Sequence, residues 1–297
     1  MEIHYTAIIP TLNAGSKLKK LLDSLSCQTL APDEILVVDS QSEDETPSLA
    51  KAQKDVRLIQ IKREEFDHSG TRDMAFRACS SPVVVFMTQD ALPVEARCME
   101  HLLCPLTDER VAAVCARQIA YENAGAAEKA VRAFRYPARS AVWGKQDVPQ
   151  RGMQSYLLSD VCTAYRRSAY EAVGGFVYPL KTNEDMLIAS KFLERGYLLA
   201  YQAEAAVWHS HSYTLRQEYQ RNRLIGQFLA RYGNEFGRAG EMGEGFRMVR
   251  FVTKELLSQG KVGAIVPFWC NCAARLLGNR AGKQEERRRM LSNGSHD

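Results

Sequence analysis

Pro82–Pro93 reads PVVVFMTQDALP, and the fold turns on how this stretch is understood. Val83 to Met87 form an unbroken apolar run, then Thr88, Gln89 and Asp90 follow, with Pro93 just beyond. A run without polar alternation is expected for a strand buried on both faces, as in a parallel sheet between helices. Its polar end admits two readings. Asp and Pro are frequent turn residues, so the end is a simple strand cap. Alternatively it is a site at the carboxyl end of a central strand, where open α/β sheets bind ligands.

The flanking segments extend the pattern. Before the opening stretch come TAIIP, EILVVDS and VRLIQIK, three further strand candidates. Between them SKLKKLLDSLSCQ places Leu18, Leu21, Leu22 and Leu25 on one helical face, and SEDETPSLAKAQ and GTRDMAFRAC also read as helices. Strand–helix alternation predicts an α/β fold, a mostly parallel sheet flanked by helices. VAAVCARQ and YLLAYQAEAAVWHSH are later strand candidates. From about Tyr213 the periodicity is helical through LRQEYQRNRLIGQFLARYG, GFRMVRFVTKELLSQ and AIVPFWCNCAARLLG. The expected organisation is therefore residues 1–214 as the α/β domain and 215–297 as a helical extension.

At 297 residues the chain has room for one large domain with an appendage. Its 45% hydrophobic and 25% charged content is that of a soluble globular protein. A net charge of +4 gives little support to nucleic acid as a partner. The basic excess is local: Arg275, Arg280, Lys283, Arg287, Arg288 and Arg289 crowd the end of the chain, a pattern open to a solvated tail or an acidic membrane surface. MEIHYTAIIPTLN lacks the layout of a secretory signal, and no stretch has the roughly 18 apolar residues of a spanning helix. The eight cysteines show no CxxC pair, so buried thiols in a reduced cytoplasmic setting are expected.

Polar groups gather at the strand ends: Pro10, Thr11 and Asn13 after the first, Asp39 and Ser40 after the second, Gln89 and Asp90 after the fourth. The carboxyl ends of parallel strands meet on one rim. Arg72 lies near a helix start, which suits an anion, or a surface ion pair. Glu184 and Asp185 precede an amphipathic helix, where acids serve either as caps or as a general base. His209 and His211, spaced i and i+2 at the end of an apolar strand, share a face and suit a divalent transition metal.

Together AIIPTLNAG, EILVVDSQSEDET, FDHSGTRDMA, VVVFMTQDALP, VCTAYRRSAYEAVGGF, NEDMLIA and VWHSHSYTLRQEYQR resemble glycosyltransferase family 2 over most of the chain. TQDA, where most members read Asp-x-Asp, together with HSHSYTL, resembles the bacterial rhamnosyltransferase branch. The resemblance implies a GT-A fold and inverting transfer of a sugar, most simply L-rhamnose from dTDP-L-rhamnose, to a saccharide or lipid-linked saccharide of the cell envelope. It implies that Pro10, Thr11, Asn13, Asp39, Ser40, Arg72, Gln89 and Asp90 bind the nucleotide-sugar. Asp90 with His209 and His211 would hold Mn²⁺ or Mg²⁺. Asp185 would be the base, with Glu184 beside it. Arg117, Gln118, Trp208 and Tyr213 would lie on the acceptor side. The helical extension would hold the enzyme on the inner face of the cell membrane. The same reaction with a UDP-hexose or UDP-N-acetylhexosamine donor, and a catalytically silent scaffold, are the alternatives. A silent scaffold is expected to have lost acids at the positions of Asp90 and Asp185, and both are present.

Overall fold

The computed structural model describes residues 3–236 and 241–293. In chain order the elements are β1 (Tyr5–Thr11), α1 (Ser16–Ser26), β2 (Glu34–Asp39), α2 (Thr46–Ala52), β3 (Val56–Gln60), α3 (His68–Ala78) and β4 (Val83–Met87). Next come β5 (Leu92–Pro93), α4 (Cys98–Leu103), β6 (Val111–Ile119), α5 (Ala126–Arg135), β7 (Ala141–Trp143), α6 (Val148–Arg151), β8 (Cys162–Arg166), α7 (Arg167–Ala172), α8 (Glu184–Glu194) and β9 (Leu198–Trp208). Three helices end the chain: α9 (Leu215–Tyr232), α10 (Glu241–Ser258) and α11 (Ile265–Asn293).

One nine-stranded sheet runs β3-β2-β1-β4-β8-β6-β9-β5, with β7 pairing β9. The first four strands are parallel, as the alternation predicts. Beyond β4 the sheet is mixed. β8 lies antiparallel between β4 and β6, while β6 and β9 run parallel. β8 reads CTAYR, too short for its period to show, and its position depends on partners far away in sequence. The opening stretch behaves as its composition demands. All five residues of β4 are buried, with β1 on one edge and β8 on the other.

Each face of the sheet has its own core. On one, Leu18, Leu21, Leu22 and Leu25 of α1 pack with Ile9, Val85 and Met87. On the other, Phe76 stacks on Tyr170 at 3.8 Å and Phe86 meets Tyr165 edge-on at 5.7 Å. Aromatic pairs of this kind add about 0.5–1.5 kcal/mol beyond their buried area. The helix start at residues 68–78 lies two residues earlier than expected. Asp67 caps it by accepting from the Gly70 amide at 2.8 Å, so Gly70 is inside the first turn.

The C-terminal helices make two attachments. α10 and the start of α11 join α5 in a cluster of Ala130, Met248, Val252, Leu256, Ile265 and Phe268. α9 places Phe228 in the sheet's core and pairs with α11. Along that pairing the backbones touch. A Cβ at Gly226 would overlap the Asn279 carbonyl, and one at Gly278 or Gly282 would overlap the carbonyls of Tyr219 or Arg223. Arg223 meets Glu285 at 2.7 Å and Arg275 meets Glu218 at 2.6 Å across the same seam. Among the described residues no helix is long and apolar enough to cross a membrane.

Candidate functional site

The rim is built from strand ends tied to one another. Ser40 donates its amide to the Thr11 carbonyl at 2.9 Å, prolonging the β1–β2 pairing. Asp39 is fully buried and accepts from the Ser42 amide and hydroxyl and from Thr11 Oγ1. Asn13 takes a left-handed backbone, φ 48°, and its side chain accepts from the Glu43 amide at 2.9 Å. Pro10 is half-buried beside them. Gln89 bridges from β4. Its Oε1 accepts from the Leu12 amide at 2.9 Å and its Nε2 donates to the Leu12 carbonyl at 3.2 Å. One lone pair and one N–H of that amide remain for a ligand. The buried Ser40 hydroxyl has no hydrogen-bond partner among the described residues.

Asp90, His209 and His211 converge. One ligand atom from each lies within 4.8 Å of the others. His209 Nε2 is 3.8 Å from one Asp90 oxygen, and His211 Nε2 is 3.5 Å from the other. The tautomer of His209 follows from its far side. Nδ1 lies 2.9 Å from Gln118 Oε1, an atom that only accepts, so Nδ1 carries the proton. Nε2 therefore turns a lone pair toward a carboxylate. Burial, with help from Arg132, pushes His209 down to about 3, so the ring is neutral. His211 is lowered too, mainly by burial, with Asp90 opposing. At His209 an acceptor faces an acceptor with no proton between them, which fits a divalent cation.

Gln118 is thus part of the support for His209. Its Oε1 also accepts from Arg132 of α5, and its Nε2 donates to Tyr136 and Ser159, each at 2.8 Å. An acceptor held against the far nitrogen of an imidazole in this way fixes its ring and tautomer. Arg117, its neighbour, is elsewhere: it lines an open cavity of about 820 Å³ with Glu95, Arg139, Ser140, Gln202 and Glu204. Trp208 stacks on Tyr121 at 6.0 Å, and the Tyr121 hydroxyl reaches the Asp90 carbonyl at 3.4 Å. Tyr213 lies beside His211 and under the Arg221 guanidinium, 4.3 Å from the ring.

A second acidic cluster starts α8. Glu184 and Asp185 are its first two residues. Glu184 is buried and meets Arg72 Nη1 at 3.0 Å. Arg72, also buried, has Asp160 on its other side, with Nε 3.5 Å from Oδ2. Its Nη1 donates to the His68 carbonyl at 2.9 Å as well. Burial works against this guanidinium, but Glu184, Asp160 and Asp185 outweigh it and hold Arg72 firmly charged. Asp185 is half-buried, and desolvation, then Glu184 and Asp160, push it well above the usual carboxylate range. A carboxylate so raised is a better proton acceptor when ionised, as a general base requires.

Of the sequence-derived site residues, Asp90, His209 and His211 form one group, and Glu184, Asp185 and Arg72 another. Arg132, Tyr121, Arg221 and Asp160 were not identified from sequence. Arg132 sits in a helix whose charged residues read as an ordinary solvated face, and Asp160 stands alone in LLSDVCTAY. Only the fold brings either to the site.

A family model described as Glycosyl transferase family 2 matches residues 6–174. The chain is 38% identical over 287 residues to the O-antigen chain rhamnosyltransferase RfbN of Salmonella typhimurium, across 94% of this chain and 89% of that protein. It is 37% identical over 289 residues to the O-antigen chain rhamnosyltransferase WbaN of Salmonella anatum, with the same two coverages. Among solved structures, the mannosyltransferase PcManGT of Pyrobaculum calidifontis, in complex with GDP-Man and Mn²⁺, superposes with a TM-score of 0.66. That match covers 96% of this chain and 88% of the other at 18% identity, a likeness of fold.

Proposed function

The chain belongs to glycosyltransferase family 2, and from that premise we propose that it is a metal-dependent, inverting rhamnosyltransferase of cell-envelope polysaccharide synthesis. Two relatives named as O-antigen rhamnosyltransferases, alike over nearly their whole length, support the sugar. The observation that carries the metal is the meeting of Asp90 with the unprotonated Nε2 of His209.

In this reading the rim of Pro10, Thr11, Asn13, Asp39, Ser40 and Gln89 receives the donor's nucleoside. Asp90, His209 and His211 hold a divalent cation, which when bound neutralises charge growing on the departing diphosphate. Asp185 takes the proton of an acceptor hydroxyl. The acceptor oxygen bonds to the anomeric carbon from the face opposite the diphosphate, whose C–O bond breaks with its electron pair. A β-linked donor thereby gives an α-linked product. Arg72 keeps Glu184 and Asp185 in place from within. Arg117, Trp208 and Tyr213 are offered to the acceptor, with Gln118 acting through His209.

The membrane role falls to α11. Its glycine face is taken by α9, and a helical stripe points away from it. That stripe carries Val266 (64% exposed), Trp269 (50%), Leu277 (58%) and Leu291 (76%), interleaved with exposed Arg280, Arg287 and Arg288. Apolar residues with a Trp, set among arginines, suit an anionic lipid surface on the cytoplasmic side.

The test is a thermal-shift panel of dTDP, UDP and GDP, with and without Mn²⁺, on wild type and Asp90→Ala. Nucleotide at about 100 times its Kd adds roughly 2.7 kcal/mol of stability. A shift seen with dTDP and Mn²⁺ and absent in the variant supports donor and metal together. A UDP preference replaces the donor. No shift with any nucleotide overturns the reading.

A further inference from the structure

The cluster behind Asp185 holds more negative charge than it can neutralise. Asp160, Glu184 and Asp185 are three carboxylates around one guanidinium, Arg72. Fully ionised, they would leave two negative charges uncompensated. Asp160, Glu184 and Arg72 are all nearly closed to solvent, where uncompensated charge is most costly. The geometry shows the competition. Arg72 closes on Glu184 at 3.0 Å but stands 3.5 Å from Asp160, too far for a good hydrogen bond. Among the described residues Arg72 Nε and Asp160 Oδ2, both buried, have no hydrogen-bond partner. The other Asp160 oxygen accepts from the Tyr165 hydroxyl at 2.7 Å.

We propose that Asp160 is a positioning residue for sugar transfer: it shares Arg72 with Glu184, so fixing the start of α8, and it sets a negative charge behind the base. This rests on the reading of Asp185 as that base. The groups facing Asp160 are Arg72 of α3, Glu184 and Asp185 of α8, Tyr165 of β8, Tyr170 of α7 and Cys115 of β6. Burial raises Asp160 to about 7 against the pull of Arg72, so its charge appears near neutral pH. The two carboxylates oppose each other's ionisation and titrate as a pair. Removing the Asp160 charge relieves Asp185 and lets it ionise at lower pH. Removing the Tyr165 hydroxyl keeps Asp160 protonated to higher pH, which relieves Asp185 in the same direction but less.

The experiment follows Asp185 directly by carboxyl ¹³C titration of the full chain in Mg²⁺, its signal assigned by its loss in Asp185→Asn. In Asp160→Asn the Asp185 midpoint falls by on the order of one pH unit, and in Tyr165→Phe by less. The acid limb of Mn²⁺-dependent dTDP-L-rhamnose hydrolysis moves the same way in each. A midpoint that stays or rises overturns the proposal, and so does an acid limb that stays while the midpoint falls. Should Asp160→Asn fail to fold, Tyr165→Phe decides alone. Hydrolysis retained in Asp185→Asn defeats the base reading, separately from where the midpoint lies.

Discussion

Two acidic corners of this protein make a useful pair. The corner of Asp160, Glu184 and Asp185 contains its own cation, Arg72, buried between two of the acids. The corner of Asp90, His209 and His211 contains none among its three members: the His209 ring is neutral and turns its Nε2 lone pair toward the carboxylate. Where the chain builds in the countercharge, the remaining excess is relieved by a proton, which suits the base proposed at Asp185. Where the chain leaves it out, a cation from solution fits. Similar residue types thus serve opposite ends, according to whether a guanidinium sits inside the cluster.

The comparison can be broken most directly at Asp185. Asp185→Asn should cut transfer by about 10²–10⁴ while leaving nucleotide-induced stabilisation intact. A loss of both in calorimetry and assay would mean the two corners are not separable. Next in size is Arg72→Leu, which leaves buried Glu184 and Asp160 without a countercharge and should destabilise the fold by about 3–5 kcal/mol. Urea unfolding measures this, and a change under 1 kcal/mol would show that the guanidinium is not the cluster's counterion. Smaller is Gln118→Leu. It removes the group that fixes the His209 tautomer and should weaken Mn²⁺ binding about 10–100-fold, read by competition with a fluorescent chelator. Unchanged affinity would take Gln118 out of the metal corner. Least is Arg287→Gln, expected to lower binding to vesicles containing phosphatidylglycerol about fivefold. Unchanged binding to the phosphatidylglycerol vesicles would remove charge from the membrane contact.

Much of the fold was legible because it is local. The apolar run at Val83–Met87, the leucine stripe of α1 and the strand–helix alternation each carry their period in a few neighbouring residues. β8 was missed because CTAYR becomes a strand only when β4 and β6 flank it. The site divides in the same way. Asp90 and the two histidines could be read from strand ends and i, i+2 spacing. Arg72 was read as a helix-start anion site or a surface ion pair; it lies a turn inside α3, paired but buried, with acids from residues 160 and 184. Gln118 was assigned to the acceptor, and its contact with His209 spans 91 positions of sequence. Residues whose role is a contact across such separations leave no pattern in their own neighbourhood.

The glycine seam between α9 and α11 has a mechanical meaning. Helices whose backbones touch have no side-chain layer in which to slide, and ion pairs at Arg223–Glu285 and Arg275–Glu218 lock their register. α9 begins four residues after His211, so the seam joins the histidine corner to α11 through one stiff strut. At 1.5 Å per residue α11 is about 44 Å long. On the proposed function, a strut of that kind would work as a gauge: with its outer edge on a surface, the protein would set the height of the site above it, and only a glycan end presented at that height would be extended.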